Sequence, residues 1–169
     1  MLTFRPLIRS ESEMMKVLFV CTGNTCRSPM AAAVFNELCR ERGIAPTAKS
    51  AGLFANGGEK ASDNAIAACR EKGIDISAHK ASRLTPDMLD ESDVIVPLAA
   101  SHEQILKSAT GDKYADKICF IPPGVSDPFG GDIEVYRKCL GEIEVLCRKI
   151  MEKIEKPDET IKQEKTNNP

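Results

Sequence analysis

The sequence predicts an α/β domain in three layers, a four-stranded parallel sheet with helices on both faces. Short unbroken apolar runs such as Val17-Leu18-Phe19-Val20 and Val94-Ile95-Val96 have the character of strands covered on both sides, as the strands of a parallel sheet are. Between them lie segments whose apolar residues recur three and four apart, the helical period. The two kinds of segment alternate along the chain, and that alternation yields parallel neighbours joined by right-handed crossovers.

The first strand occupies 17–20 and ends at Cys21. After a Thr-Gly-Asn-Thr loop, Met30, Ala31, Val34, Phe35 and Leu38 share one helical face, and the pattern stops at Gly43, which suits the residue that follows a helix. Residues 48–53 form a second short strand. A Gly-rich loop then leads to a helix over about 62–72, closed by Gly73. Thr85-Pro86 opens a short helix with Pro in its first position. Val94-Ile95-Val96 is the third strand, Ser101 with Gln104 reads as the capping box of the next helix, and 118–121 is the fourth strand. The last helix is the longest, with Ile133, Tyr136, Leu140, Ile143, Cys147, Ile150 and Ile154 in one stripe. Residues 1–15 show no period and are expected to be a disordered extension or a misplaced start, and 157–169 a frayed polar tail, on either side of a domain spanning 16–156.

A chain of 169 residues, 42% hydrophobic, is long enough for one core. Lys and Arg total 23 against 25 acidic residues, a net charge of −2, which excludes the broad basic surface of a non-specific nucleic-acid binder. No apolar stretch approaches the roughly 20 residues that span a bilayer. Arg5, Arg9, Glu11 and Glu13 interrupt the N-terminal segment, unlike a secretory leader. A cytoplasmic location without a membrane partner is therefore expected. Seven cysteines, an odd number, in a chain too large to need stapling indicate a reducing compartment and thiol chemistry.

That chemistry concentrates between Cys21 and Ser28. A strand-to-helix loop with Gly23 and Asn24, both tolerant of positive φ, can curl so that the amides of Thr22, Gly23, Asn24, Thr25, Cys26, Arg27 and Ser28 converge as an anion nest. The following helix adds its positive end. Arg27 at the rim has a planar fork that grips two phosphate oxygens. In that field Cys21 favours its thiolate, the nucleophilic form. Ser28 can donate to the same sulfur and ease its later departure. Cys26 is either a packed loop thiol or the partner of Cys21 in a reversible disulfide formed under oxidant. Cys21 and Cys26 lack a second close pair of ligands, so no metal is expected. Phosphoryl transfer to a thiolate also needs a proton donor. Asp127, stiffened by Pro128 in the loop after the fourth strand, is the candidate, its other reading being a turn residue before Gly130-Gly131.

With Val-Cys-Thr-Gly-Asn-Thr-Cys-Arg-Ser-Pro at 20–29 and Asp-Pro-Phe-Gly at 127–130, the chain resembles the low-molecular-weight protein tyrosine phosphatase family over about 16–154. The resemblance implies a flavodoxin-like four-stranded parallel sheet. It also implies Cys21 as nucleophile, Arg27 as phosphate clamp and Asp127 as general acid and then base, without metal or cofactor. Ser50 and His79 match residues that brace the loop Asn in similar proteins. The partners implied are phosphorylated proteins, and the chain is expected to be a monomer or weak dimer. Tyrosine-directed members have aromatic pocket walls, whereas this chain reads Phe129-Gly130-Gly131 and has no Trp. Thr25 and the Asp-Pro-Phe-Gly-Gly run look like the protein-arginine phosphatase branch, so phosphoarginine is expected ahead of phosphotyrosine, with Thr25 and Phe129 in the pocket. Two alternatives are carried. A thioredoxin-coupled arsenate reductase relays electrons through cysteines after the third strand, yet none lies between Cys69 and Cys119. A phospho-residue binding module or thiol redox sensor would use Cys21 and Cys26 without turnover.

Overall fold

A computed structural model of the chain describes residues 15–156. Its elements are β1 (Val17–Cys21), α1 (Arg27–Glu41), β2 (Ala48–Gly52), α2 (Asp63–Glu71), α3 (Pro86–Glu91), β3 (Val94–Pro97), α4 (Ala100–Thr110) and α5 (Ile133–Glu155). The strands form a parallel sheet in the order β2-β1-β3. Pairing of Cys21 with Gly52 and of Val20 with Pro97 brings all three C-terminal ends to one edge.

Every residue of β1 is buried, and their alternation divides the core in two. Val17, Phe19 and Cys21 join the cluster that contains α1, α2 and α5, while Leu18 and Val20 join Leu89 of α3 and Leu106 of α4 on the opposite face. This is why the strand reads as an unbroken apolar run: both faces are covered by helices. Phe19 packs on Phe35 of α1 with ring centroids 5.9 Å apart, and burial of each such side chain is worth about 1.5–3 kcal/mol. On α5 the stripe Tyr136, Leu140, Ile143, Cys147, Ile150 and Ile154 is buried. Among the described residues no helix is long and apolar enough to cross a membrane.

The fourth strand is a correction. Residues 118–121 contribute only an isolated parallel bridge, Ile118 with Ile95, made by Ile95 N–H to the Lys117 carbonyl (2.8 Å) and Cys119 N–H to the Ile95 carbonyl (2.8 Å). The next outward-facing donor on β3 would be residue 97, a Pro without an N–H, so the ladder stops there. Pro122 and Pro123 end the run from the other side. The sheet therefore has three strands.

Boundaries differ elsewhere for similar local reasons. The first turn of α1 is Arg27-Ser28-Pro29, ahead of the apolar face at Met30, and Pro29 loses nothing where no N–H acceptor is needed. Helix α4 starts at Ala100 without a side-chain cap. His102 and Glu103 donate to the Ala99 carbonyl (3.1 and 3.2 Å), so Ser101 lies inside the first turn and the capping box with Gln104 is not made. Ser62 caps α2, accepting from Ala65 N–H at 3.2 Å. Gly43 and Gly73 follow α1 and α2 at φ +68° and +76°. Met15 is buried in the larger core. The rest of the expected N-terminal extension, 1–14, and the expected polar tail, 157–169, lie outside the described residues.

Candidate active site

The C-terminal edge of the sheet turns at Cys21 into a loop that re-enters the fold at Arg27. Asn24, at the middle of this loop, has φ +57°, a conformation that Asn tolerates better than most residues. It is fully buried, and every polar group it has is used. Its Nδ2 donates to Ser28 Oγ (2.7 Å) and Ser50 Oγ (2.9 Å), while its Oδ1 accepts from Ser82 N–H (2.9 Å). His79 Nε2 meets the Asn24 carbonyl at 2.7 Å, which makes that nitrogen the protonated one.

The carbonyls of Cys21, Thr22, Asn24 and Thr25 are turned away from the loop interior toward neighbouring donors. Cys21, Thr22 and Thr25 accept from the N–H groups of Leu53, Phe54 and Ser62, each at 2.9 Å. The amides consequently point the other way. Among the described residues the N–H groups of Thr22, Gly23, Thr25, Cys26, Arg27 and Ser28 have no intramolecular acceptor, the arrangement of an anion nest opening onto a helix N-terminus. Gly52 permits this closeness. A Cβ there would meet the Thr22 carbonyl oxygen at 2.8 Å and Asn24 N at 2.9 Å.

Cys21 Sγ lies 2.8 Å from Ser28 Oγ and accepts from Asn24 N–H at 3.3 Å. Because Asn24 Nδ2 occupies the Ser28 oxygen as a donor, the Ser28 proton is free to point at sulfur. Arg27 is buried and donates from Nη1 to the Val125 carbonyl at 3.3 Å. Its Nη2 lies 3.6 Å from Asp127 Oδ2, whose side chain is 60% exposed. Asp127 Oδ1 accepts from Phe129 N–H at 3.1 Å. This second loop is pinned by Val125 N–H to the Leu98 carbonyl (2.7 Å) and Ser126 N–H to Glu142 (2.8 Å). The structure thus brings Cys21, Arg27 and Asp127 to one place from elements a hundred residues apart.

Cys26 is buried behind the loop. Its sulfur lies 3.2 Å from Tyr136 Oη, 3.5 Å from Ser62 Oγ and 3.7 Å from Thr25 Oγ1, and burial together with the Cys26 contact pushes the Tyr136 hydroxyl up to about 12. All seven cysteines are free thiols. Burial pushes Cys69 and Cys139 up to about 12 and Cys147 higher still, so these are packing residues. No group of His, Cys, Asp and Glu among the described residues is disposed to hold a metal.

Two residues escaped the sequence reading. Phe54 is 58% exposed at the turn whose amide holds the Thr22 carbonyl, and Phe129, two residues after Asp127, is 82% exposed. His102 is buried, with Nε2 2.9 Å from Thr22 Oγ1. Burial, reinforced by Arg27 and opposed by Asp127, pulls it down to about 4. Its place just after β3, at the edge where parallel sheets bind ligands, was the available signal.

A buried cysteine beside a loop of unpaired amides, at the ligand edge of a parallel sheet, is the arrangement of a cysteine-dependent phosphatase. The sequence model described as low molecular weight phosphotyrosine protein phosphatase matches residues 16–161, and the chain belongs to that family. It is 37% identical over 149 residues, 84% of this chain and 98% of the relative, to a protein-arginine-phosphatase of Bacillus subtilis (strain 168). The crystal structure of a low molecular weight protein tyrosine phosphatase from T. tengcongensis superposes with a TM-score of 0.78 at 42% identity, covering 82% of this chain and 99% of that one. The YwlE arginine phosphatase, solved as a cysteine-to-serine mutant with a phosphorylated active-site serine, has a TM-score of 0.78 at 36% identity, covering 84% and 97%.

Proposed function

We propose that the protein hydrolyses phosphoryl groups from protein side chains through a phosphocysteine on Cys21, with phosphoarginine as its preferred substrate. The observation that carries the reading is the ring of inward amides around Cys21 Sγ, which solvates a phosphoryl dianion and its transition state alike, with Arg27 gripping two oxygens at the rim. In the first step the sulfur attacks phosphorus, the bond from phosphorus to the side-chain nitrogen or oxygen breaks, and Asp127 protonates the leaving atom. In the second, Asp127 removes a proton from water, whose oxygen attacks phosphorus. The S–P bond breaks, inorganic phosphate leaves, and the thiolate is restored with Ser28 donating to it. Asn24, with Ser50, Ser82 and His79 on its polar atoms, holds the loop in the required shape. The phosphorylated active-site serine of the YwlE mutant supports a covalent step.

The preference for phosphoarginine rests on the hydroxyl that Thr25 adds to the loop. Thr25 is half-buried with its carbonyl fixed by Ser62, so its hydroxyl is a local acceptor for guanidinium N–H groups, which a phenol ring lacks. The relative named as a protein-arginine-phosphatase supports the same choice. Phosphotyrosine is the second reading, favoured by the exposed rings of Phe54 and Phe129, which suit a flat aromatic group. Hydrolysis of matched phosphoarginine and phosphotyrosine peptides by wild type and Thr25→Ile separates the two. A loss of about tenfold or more confined to phosphoarginine is expected; an unchanged preference removes Thr25 as its cause. An arsenate-reducing relay has no support in the thiols after β3, since Cys119 is buried and burial raises its thiol.

A further inference from the structure

His102 stands outside the chemistry just described. It is 2% exposed in the first turn of α4, at the corner where Leu98 links Val20 of β1 to Val125 beside the Arg27 contact. One hydrogen bond leaves its ring, from Nε2 to Thr22 Oγ1 across 80 residues of sequence, and Nδ1 is buried with no partner among the described residues. A side chain chosen only to fill this space would have no polar atoms to leave unpaired. The bond to Thr22 is what an imidazole adds.

Thr22 is the residue that follows the nucleophile, and its two ends are now both accounted for. Phe54 N–H fixes its carbonyl at 2.9 Å and His102 fixes its hydroxyl. The peptide planes on either side of Thr22 carry N–H groups that face the nest. We propose that His102 is a positioning residue of the phosphate loop, holding the Thr22 hydroxyl and thereby the peptide groups that first meet the phosphoryl oxygens. This rests on the assignment of that loop as the phosphoryl site.

The geometry also assigns the proton. An orphaned buried N–H is rarer than an orphaned acceptor, so Nε2 carries the hydrogen and donates to Thr22, while Nδ1 keeps a bare lone pair. Thr22 is exposed at the rim, and its own hydroxyl proton is then free to face the site. The charges that His102 feels are Arg27 and Asp127. Burial and Arg27 outweigh Asp127 and keep the ring neutral at neutral pH, so it orients a hydroxyl and transfers no proton.

The test combines His102→Ala, His102→Asn, His102→Gln and Thr22→Val, assayed on one phosphopeptide and for competitive inhibition by inorganic phosphate. A Gln amide nitrogen reaches the position of Nε2 and an Asn amide does not. Expected are losses of about 10- to 100-fold in kcat/KM for Ala and Asn, weaker inhibition by phosphate, and recovery of most of the loss by Gln. Thr22→Val costs a similar factor alone and nothing further in the His102→Ala background. The shape of the pH–rate profile between pH 5 and 8 stays as in wild type. The inference is overturned by His102→Ala within twofold of wild type, by losses that multiply in the double variant, or by an acid limb that moves. If His102→Ala fails to fold, Thr22→Val decides, and wild-type behaviour of that variant overturns the inference. Failure of the underlying assignment looks different: Cys21→Ser would then retain full turnover.

Discussion

Two loops meet at the mouth of the site and are built in opposite ways. In the loop from Cys21 to Ser28, the Asn24 side chain is satisfied on every atom, the carbonyls of Cys21, Thr22, Asn24 and Thr25 are taken by neighbours, and Asn24, Arg27 and Ser28 are buried. In the loop that carries Asp127, the acid is largely exposed, Phe129 more so, and the fastening is confined to Val125, Ser126 and the local turn at Asp127. On the proposed mechanism the contrast separates two tasks. Binding and stabilising a dianion demands donors fixed before the substrate arrives, because reorganising them would forfeit the gain. Delivering and recovering a proton demands a carboxyl that reaches both substrate and water. The ion pair between the loops, with one exposed partner, is worth about 0–1 kcal/mol, too little to hold the fold.

The sharpest way to break this comparison is to damage one loop at a time. Asp127→Asn should lower kcat about 10²- to 10⁴-fold while leaving stability within about 0.5 kcal/mol of wild type, as read by urea unfolding. Asn24→Ala should do both. It removes three side-chain hydrogen bonds and leaves a non-Gly residue at positive φ, for about 2–4 kcal/mol of stability and about 100-fold in kcat/KM. Equal stability losses from the two would erase the distinction.

Much of the first loop was legible because it is local. The Cys21 to Arg27 spacing, the strand before it and the helix after it lie in one stretch of sequence, and Asn24 was readable as a residue tolerant of positive φ. Nonlocal features were harder. That Gly52 must lack a Cβ follows from Thr22 and Asn24 passing within 3 Å of it, an approach no periodicity encodes. The fourth strand read correctly as an apolar run, but its ladder depends on the donor its neighbour lacks at Pro97, a condition visible only once register is known. Its place after β3 aside, nothing in the sequence around His102 marks it; only the fold brings its ring to the Thr22 hydroxyl.

A smaller effect sharpens the same contrast through pH. The native state holds His102 near 4 against an ordinary 6.5. As pH falls below 6.5 the unfolded chain therefore takes up a proton that the folded one refuses. Stability should drop progressively down to about pH 4 and then level, by about 3 kcal/mol at most from this residue. Chemical denaturation of wild type and His102→Gln at pH 7, 5.5 and 4.5 measures it as the difference between the two proteins. Parallel curves would show that the ring is not held neutral.

The central claim is that sulfur 21 carries the phosphoryl group during turnover. Asp127→Asn, slowed in the hydrolysis of that intermediate, should be quenched in mid-turnover on a phosphopeptide and mapped by peptide mass spectrometry. One phosphoryl group on the fragment containing Cys21, absent from Cys21→Ala, is the predicted result. Steady release of phosphate with no covalent adduct on that fragment would contradict the account.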